Sequence, residues 1–419
     1  MEQTLLAAKD PDASCLSEWI RDGFPLGIVH AIENTGVFPA TQTVSAAIEE
    51  SRIHGMLATD VDGTATNYSS FQESVAQAQE LMDQLVQTGR ADKFETWQEV
   101  VETFGEQAKL TRLACLVKTK ETGETKYRLV VDSRRSGVNG LMTVKEQVIL
   151  PKISDIAQSI QYLAKLNEGW SDMLLELVSV DFRDAFHMCP LRPDERQFVV
   201  AKDSYGWYHV SKVVQFGLSP GPLLWARLAS AAMRLGQAIV KPWEAAVSTY
   251  VDDPLLTVME ESARDRTATV LLCVGLWLAL GLRISWNKAV RGPVVQWIGF
   301  ELQLHGKQNC DLTVRLTDSK RKKLLDTLEE IGKHKGVFPL KLLQYAVGVL
   351  GWVSSVVPLA RPWLAMLWAA ITQHRAPSKN TTCEKGPHLR EASSACSPMA
   401  DCLGHVLGWT GPWFASYLS

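Results

Sequence analysis

Residues 248–258, "STYVDDPLLTV", set two aspartates side by side between two runs of apolar and β-branched residues. The flanks at 245–251 and 255–259 are short, rich in Val, Thr, Leu and Tyr, and meet at Asp252-Asp253-Pro254, a pattern that predicts strand, turn, strand. Asp and Pro are ordinary turn residues, so a plain surface turn would account for the three letters taken alone. It does not account for the flanks, which are too apolar for a hairpin lying loose on the surface. Neighbouring carboxylates held against such a sheet repel each other unless a cation neutralises them, and hard oxygen ligands suit Mg²⁺. The pair therefore predicts a metal, and the metal predicts a third ligand.

The run "LLELVSVD" at 174–181 supplies a third carboxylate, because it reads as a strand buried on both faces that ends on Asp181. An Asp at such a boundary also serves as an ordinary cap, so its neighbours in the fold decide. A helix is predicted over 151–167, a hairpin over 195–214 turned at Tyr205-Gly206, and a helix over 223–240. The Asp-Asp hairpin follows, then a helix from about residue 264 to 280 and strands at 282–286 and 294–304. The order β-α-β-β-α-β is that of a ferredoxin-like sheet. There the first strand and the central hairpin are adjacent, which brings Asp181 and Asp252 together near one sheet end. Two Mg²⁺ ions at such a site activate a primer 3′-hydroxyl and steady a leaving pyrophosphate.

With 46% hydrophobic and 21% charged residues over 419 positions, the composition is that of a soluble globular protein of roughly two to four folding units. No signal pattern is visible at residues 1–12, and the eight cysteines form no CxxC pair, so they read as reduced core thiols of an intracellular protein. The apolar stretches at 268–282 and 342–360 read as buried helices, without a membrane partner. The net charge of −3 conceals a division: residues 1–100 carry 5 Lys/Arg against 16 Asp/Glu, and the other 319 carry 38 against 30. The basic part is where phosphates are expected. Lys118, Lys120, Lys126, Arg128, Arg134 and Arg135 cluster in one segment, a predicted hairpin made of "RLACLVKTK" and "KYRLVVD". "SKRKKLL" at 319–325 is a second basic run, on a predicted helix whose charges equally suit a solvated face.

Over about residues 113–370 the chain resembles reverse transcriptases of retroelements, of the retroviral and LTR-retrotransposon kind with a YVDD motif. "VSVDFRDAFHMCPL" is similar to the family's first catalytic segment and "YVDD" to its second. The resemblance implies an α+β right-hand polymerase with fingers, a ferredoxin-like palm and a helical thumb or connection. Its parts are an acidic, mainly helical region at 1–110, fingers and palm at 111–302, a thumb-like helical region at 303–375, and an irregular tail at 376–419. It implies Asp181, Asp252 and Asp253 as catalytic metal ligands, with Asp252 the stronger of the pair, for two Mg²⁺ ions or Mn²⁺ in their place. Asp184 and Ala185 would offer backbone amides to the triphosphate, and Phe186 would be the gate that rejects a ribose 2′-hydroxyl.

Further segments follow in the family's order. "KYRLVVDSRRSGVN" resembles the fingers strand, with Arg128 clamping the triphosphate and Asp132 and Arg134 supporting it, and with Lys118 or Lys120 as a second cation. "QFGLSPGP" places Phe216 and Gly217 beside the incoming base. "SWNKA" places Lys288 where a lysine would protonate pyrophosphate. "VQWIGFEL" resembles the primer grip, with Trp297, Ile298 and Gly299 under the primer terminus. Gln215 and Pro254 depart from the family's usual proline and large aliphatic residue, and neither change removes a metal ligand. The tail offers only Glu384, Glu391 and Asp401, so no RNase H is expected within the chain. The implied partners are an RNA or DNA template with its primer and dNTPs. An RNA-dependent RNA polymerase shares the palm, but Phe186 fills the place where a small residue is usual there. The second alternative is a decayed or domesticated chain that binds nucleic acid without chemistry. The acidic first hundred residues either pack away from the cleft or bind a partner.

Overall fold

The computed structural model describes residues 2–41, 66–119, 123–333, 339–357 and 361–373. Lys120 and the tail with Glu384, Glu391 and Asp401 lie outside the described residues. At the centre is an antiparallel sheet of four strands in the spatial order Val290–Gly292, Leu174–Ser179, Asp253–Glu260, Ala245–Tyr250. In chain order these are the fourth, first, third and second strands. The helix Gly221–Ile239 joins the first to the second, and Ala263–Ala279 joins the third to the fourth. This is the β-α-β-β-α-β arrangement expected from the sequence.

The apolar runs are explained by the two faces of this sheet. Side chains alternate across a strand, and Val178, Leu256 and Val258 join one core with Phe182, Trp225 and Trp277 beneath the two crossover helices. Leu175, Leu177, Leu255 and Met259 point the other way, into a second core with Ile156, Ile160 and Leu163 of the helix Ile153–Leu166. A strand covered on both sides has no polar face to show in its sequence.

The structure corrects the last predicted strands. Residues 282–285 carry an isolated bridge, Phe182 to Ile284, a short 3-10 turn follows at Trp286–Lys288, and the fourth strand is the short Val290–Gly292. Pro293 then interrupts the ladder, since it has no N–H to donate. The run at 294–304 is a hairpin, Val294–Trp297 with Phe300–His305, and Asp311–Leu316 completes a separate three-stranded sheet. Leu113–Thr119 and Thr125–Val131 pair as the basic hairpin. A second four-stranded sheet holds Ala91–Phe94, Tyr208–Ser211, Val200–Lys202 and Leu110–Thr111. The helices Asp318–Lys333, Leu340–Val353 and Arg361–Gln373 close on a core of their own that includes Leu324, Val347, Leu350 and Leu367. Among the described residues no helix is long and apolar enough to cross a membrane.

The N-terminal segment shares the main core. Leu5, Leu16, Trp19 and Phe24 cluster with Trp225, Leu228 and Ala232. Its acids meet bases of the helix Gly221–Ile239: Arg234 binds Asp10 at 2.6 Å and Asp12 at 3.0 Å, and the fully buried Arg227 ion-pairs with Glu146 and lies 3.6 Å from Asp12.

Candidate active site

Tyr250 pairs directly with Asp253, so the hairpin turns through two residues, Val251 and Asp252. The predicted turn at Asp252-Asp253-Pro254 is therefore shifted by one residue, and Asp253 opens the second strand. Val251 has φ +56°, a left-handed conformation that costs a β-branched residue on the order of 1–2 kcal/mol. Hydrogen bonds from the surroundings hold it there. Trp225 Nε1 donates to the Val251 carbonyl at 2.8 Å, and Trp297 Nε1 donates to the Asp253 carbonyl at 2.9 Å. The Phe182 N–H donates to the Asp252 carbonyl at 2.7 Å, and the Val180 N–H to that of Pro254 at 3.1 Å.

Those last two bonds fasten the segment after the first strand to the hairpin, and Asp181 lies between their donors. Its carboxylate is buried and ion-paired with the ammonium of Lys288, which stands on a short turn anchored by Ser285 N–H donating to the Asp181 carbonyl at 2.8 Å. Burial raises Asp252 above the usual carboxylate range, opposed by its own backbone hydrogen bond and by Arg128. Burial and then the charge of Asp252 push Asp253 up to about 6. Among the described residues neither of these two carboxylates has an ion-pair partner. Their chemistry fits a hard divalent cation, which would offset their mutual repulsion. Among the described residues no three acidic, His or Cys side chains form a ready-made cage. A site of that kind suits Mg²⁺, which usually takes one or two carboxylates together with water and substrate phosphates.

A cleft of about 890 Å³ opens above Asp181 and Asp252, with Lys126, Arg128 and Lys288 among its walls. Asp253 is not part of the lining. Arg128 projects from the basic hairpin with its guanidinium 5.5 Å from the Phe216 ring, and Phe216 lies 5.0 Å from the ring of Phe186. The place of Phe216 is fixed by a 2.8 Å bond from the Val131 N–H to its carbonyl. Gly217 beside it has φ +111°, and a Cβ there would sit 1.9 Å from the Val131 carbonyl oxygen, so only glycine fits. Asn139 secures the same loop, donating to the Gly217 carbonyl and accepting from the Ser219 N–H, both at 3.0 Å. Asp132 accepts from the Tyr68 hydroxyl and from the Arg135 N–H, an anchoring contact at the base of the Arg128 strand.

Asp184 and Ala185 begin the short 3-10 turn Ala185–Met188 that carries Phe186 into the cleft. Trp297 is buried beneath the Asp252–Asp253 hairpin, while Ile298 and Gly299, both with positive φ, form the adjacent turn against Trp352. The cleft thus gathers Asp181, Asp252, Asp184, Ala185, Phe186, Phe216, Arg128 and Lys288. Trp297, Ile298 and Gly299 sit outside its walls, and Trp297 supports it from below. Lys126, Trp286 and Asn287 also line the cleft. Lys126, already part of the basic cluster read from the sequence, stands two residues before Arg128 and so on the same face of its strand, which is the signal that would have carried it from the cluster to the cleft. Arg90, which binds the Asp184 carboxylate at 2.9 Å, carried no such signal.

No family model matches the sequence, and no curated protein matches it. Solved structures do share its fold. A foamy viral protease-reverse transcriptase in complex with double-stranded DNA is similar at 17% identity and a TM-score of 0.53, over 82% of this chain and 59% of that one. A related foamy viral structure, also with double-stranded DNA, gives the same identity and score over 81% of this chain and 49% of that one. The foamy viral enzyme in complex with an RNA/DNA hybrid matches at 16% identity and a TM-score of 0.51, over 82% and 39%. The chain therefore spans between about two fifths and three fifths of the length of these neighbours. At such identities the likeness is one of fold: this chain has a mixed α+β fold similar to that of retroviral reverse transcriptases.

Proposed function

We propose that the chain is an RNA-directed DNA polymerase of a retroelement, adding dNTPs to a primer 3′-hydroxyl under the direction of a template. The observation that carries this reading is the juxtaposition of Asp181 with the strained Val251-Asp252 turn at the floor of a cleft walled by Lys126, Arg128 and Lys288. Similar folds in the foamy viral structures hold double-stranded DNA and an RNA/DNA hybrid, which supports a template-primer duplex as the macromolecular partner.

In this reading the layout is that of fingers at the basic hairpin, palm at the central sheet and thumb at the C-terminal helices. Asp181 and Asp252 hold the catalytic cations, with Asp253 behind them. Bound Mg²⁺ supplies charge neutralisation at the triphosphate and acidifies the primer hydroxyl. Arg128 and Lys126 grip phosphate oxygens, where the planar guanidinium offers paired donors. The ring of Phe186, backed by Phe216, occupies the space a ribose 2′-hydroxyl would need. Lys288 exchanges its partner from Asp181 to the substrate and stands ready to give a proton to the leaving pyrophosphate. The duplex is held mainly through its phosphates, so binding weakens steeply with salt.

Primer extension on an RNA template with Mg²⁺ and dNTPs, run beside Asp252→Asn, tests the proposal. Extension by the parent and none by the variant is the expected result. Absence of extension by both, with template-primer still bound, would identify a decayed polymerase that only binds nucleic acid.

A further inference from the structure

Arg90 lies in the acidic N-terminal third of the chain and outside the cleft walls, yet its largely buried side chain reaches Asp184 and His187, which line the cleft. Its backbone is fixed at both polar groups. The Arg90 N–H donates to the Leu85 carbonyl at 2.7 Å, and the Arg90 carbonyl accepts from the Lys212 N–H at 2.8 Å. From this anchor the guanidinium forks. One arm donates to the Asp184 carboxylate at 2.9 Å, and the other reaches Nδ1 of His187 at 3.5 Å. These two partners bracket the turn that presents Phe186.

The turn needs such a bracket. Asp184 has φ +58°, a left-handed conformation outside the ordinary range of an L residue. The 3-10 turn that follows is only four residues long, Ala185–Met188, and is half-buried, with Ala185, Phe186 and Met188 resting on the edge of the main core. Arg183 and Arg283 also face the Asp184 carboxylate, but at 3.9 and 4.0 Å, and both are largely exposed. Among the described residues, Arg90 alone combines a direct hydrogen bond to Asp184, a second arm on His187 and a buried stem. His187 in turn lies edge-on to Phe216 at 6.1 Å, so the fork also bears on the ring that backs Phe186.

We infer that Arg90 is a positioning residue for the Phe186 gate, setting how strictly the cleft rejects a ribose 2′-hydroxyl. The inference rests on the polymerase reading given above. A guanidinium is suited to this because its two arms hold a fixed angle, which a lysine ammonium cannot reproduce. Loss of the fork frees the turn to move, and a gate shifted by about 1 Å loses much of its steric discrimination.

The test is the ratio of ribonucleotide to deoxynucleotide incorporation in parent, Arg90→Gln, Arg90→Lys, Phe186→Ala and the double variant Arg90→Gln/Phe186→Ala. Arg90→Gln and Arg90→Lys are expected to raise the ratio by roughly tenfold, on the scale at which small misplacements act. In the Phe186→Ala background, removal of Arg90 is expected to change the ratio no further, because the gate it positions is already gone. Arg90→Lys keeps the positive charge at the anchor and decides the matter if Arg90→Gln does not fold. An active parent whose Arg90 variants keep the parental ratio, or whose double variant shows additive effects, would overturn the inference alone. A parent that extends no primer with either nucleotide would overturn the polymerase reading instead.

Discussion

The indole N–H of Trp297 donates to the backbone carbonyl of Asp253 from beneath the Asp252–Asp253 hairpin, at 2.9 Å. Trp225 makes the equivalent bond to Val251 from the other core, at 2.8 Å. Two large side chains on opposite faces of the sheet thus pin a turn that its own sequence disfavours. Replacing Trp297 by Phe keeps most of the ring volume and its edge contact with Tyr250 but removes the donor. The expected cost is about 1 kcal/mol of stability. A roughly tenfold fall in kcat should accompany it, with template-primer affinity unchanged, because the carboxylate is displaced and the phosphate contacts are not. Paired urea denaturation and steady-state extension measure both. An unaltered kcat would show that the turn is held without this bond.

Gly217 provides a sharper steric test. An added methyl group would meet the Val131 carbonyl oxygen at 1.9 Å, and the φ of +111° is itself strained for alanine. Gly217→Ala should destabilise the chain by about 3 kcal/mol. The loop carrying Phe216 must retreat, so the KM for dNTP should rise more than kcat falls. A variant with parental stability and KM would mean that the close approach of the two backbones is not required.

Phe186→Ala removes the ring that packs, tilted by 56°, against Phe216 at 5.0 Å. Incorporation of ribonucleotides is expected to rise about a hundredfold relative to deoxynucleotides, the order of discrimination a steric pocket supplies against one hydroxyl. Single-nucleotide incorporation kinetics with matched dNTP and rNTP read this directly. Unchanged sugar selectivity would remove the gate assignment.

His209 gives a prediction for pH. Burial holds its imidazole below the ordinary value of 6.5, while the adjacent Asp203, 3.0 Å away, acts in the opposite direction and Lys93 adds to the lowering. The folded chain therefore takes up this proton less readily than the unfolded chain does. The stabilising contribution is present above pH 6.5 and is lost as the pH falls below it. Thermal melts should show a fall in Tm beginning near pH 6.5 that is absent in His209→Gln, which keeps a donor for Asp203 but cannot be charged. Superimposable acid limbs for parent and variant would count against this.

The features legible in the sequence were those carried by one segment at a time. Apolar runs on both sides of Asp252 and before Asp181 marked fully buried strands, and the order of elements then placed them side by side. The turn register was not legible, because Val251 takes a left-handed conformation against its own preference under hydrogen bonds from Trp225 and Trp297. Nor was the fourth strand, where a short 3-10 turn at Trp286–Lys288 separates the isolated Phe182–Ile284 bridge from the ladder that resumes at Val290. Charge reading failed in a different way. Arg90 and Asp184 are 94 positions apart, and Asp12 and Arg234 are 222 apart, so counts within segments recorded surplus charges that the fold pairs off.

That pairing sets the last prediction. Arg227 is fully buried among Glu146, Asp12 and the ring of Trp19, and Oε1 of Glu146 is itself buried without a hydrogen-bond partner among the described residues. Removing the cation would leave the Glu146 carboxylate uncompensated inside the core, while Asp12 keeps Arg234 at 3.0 Å. Arg227→Ala should therefore cost about 3–5 kcal/mol, whereas Arg227→Met combined with Glu146→Leu should recover much of it by replacing charge with packing. The loss should loosen the helix Ala13–Asp22, which Arg227 touches at Cys15 Sγ (3.3 Å) and at the Trp19 ring (5.2 Å). Urea midpoints measure the first effect, and the rate of proteolytic cleavage within residues 13–22 measures the second. If Arg227→Ala leaves the midpoint within about 1 kcal/mol of the parent, the acidic N-terminal segment is held by its apolar contacts and by the Arg234 pairs to Asp10 and Asp12, without need of Arg227.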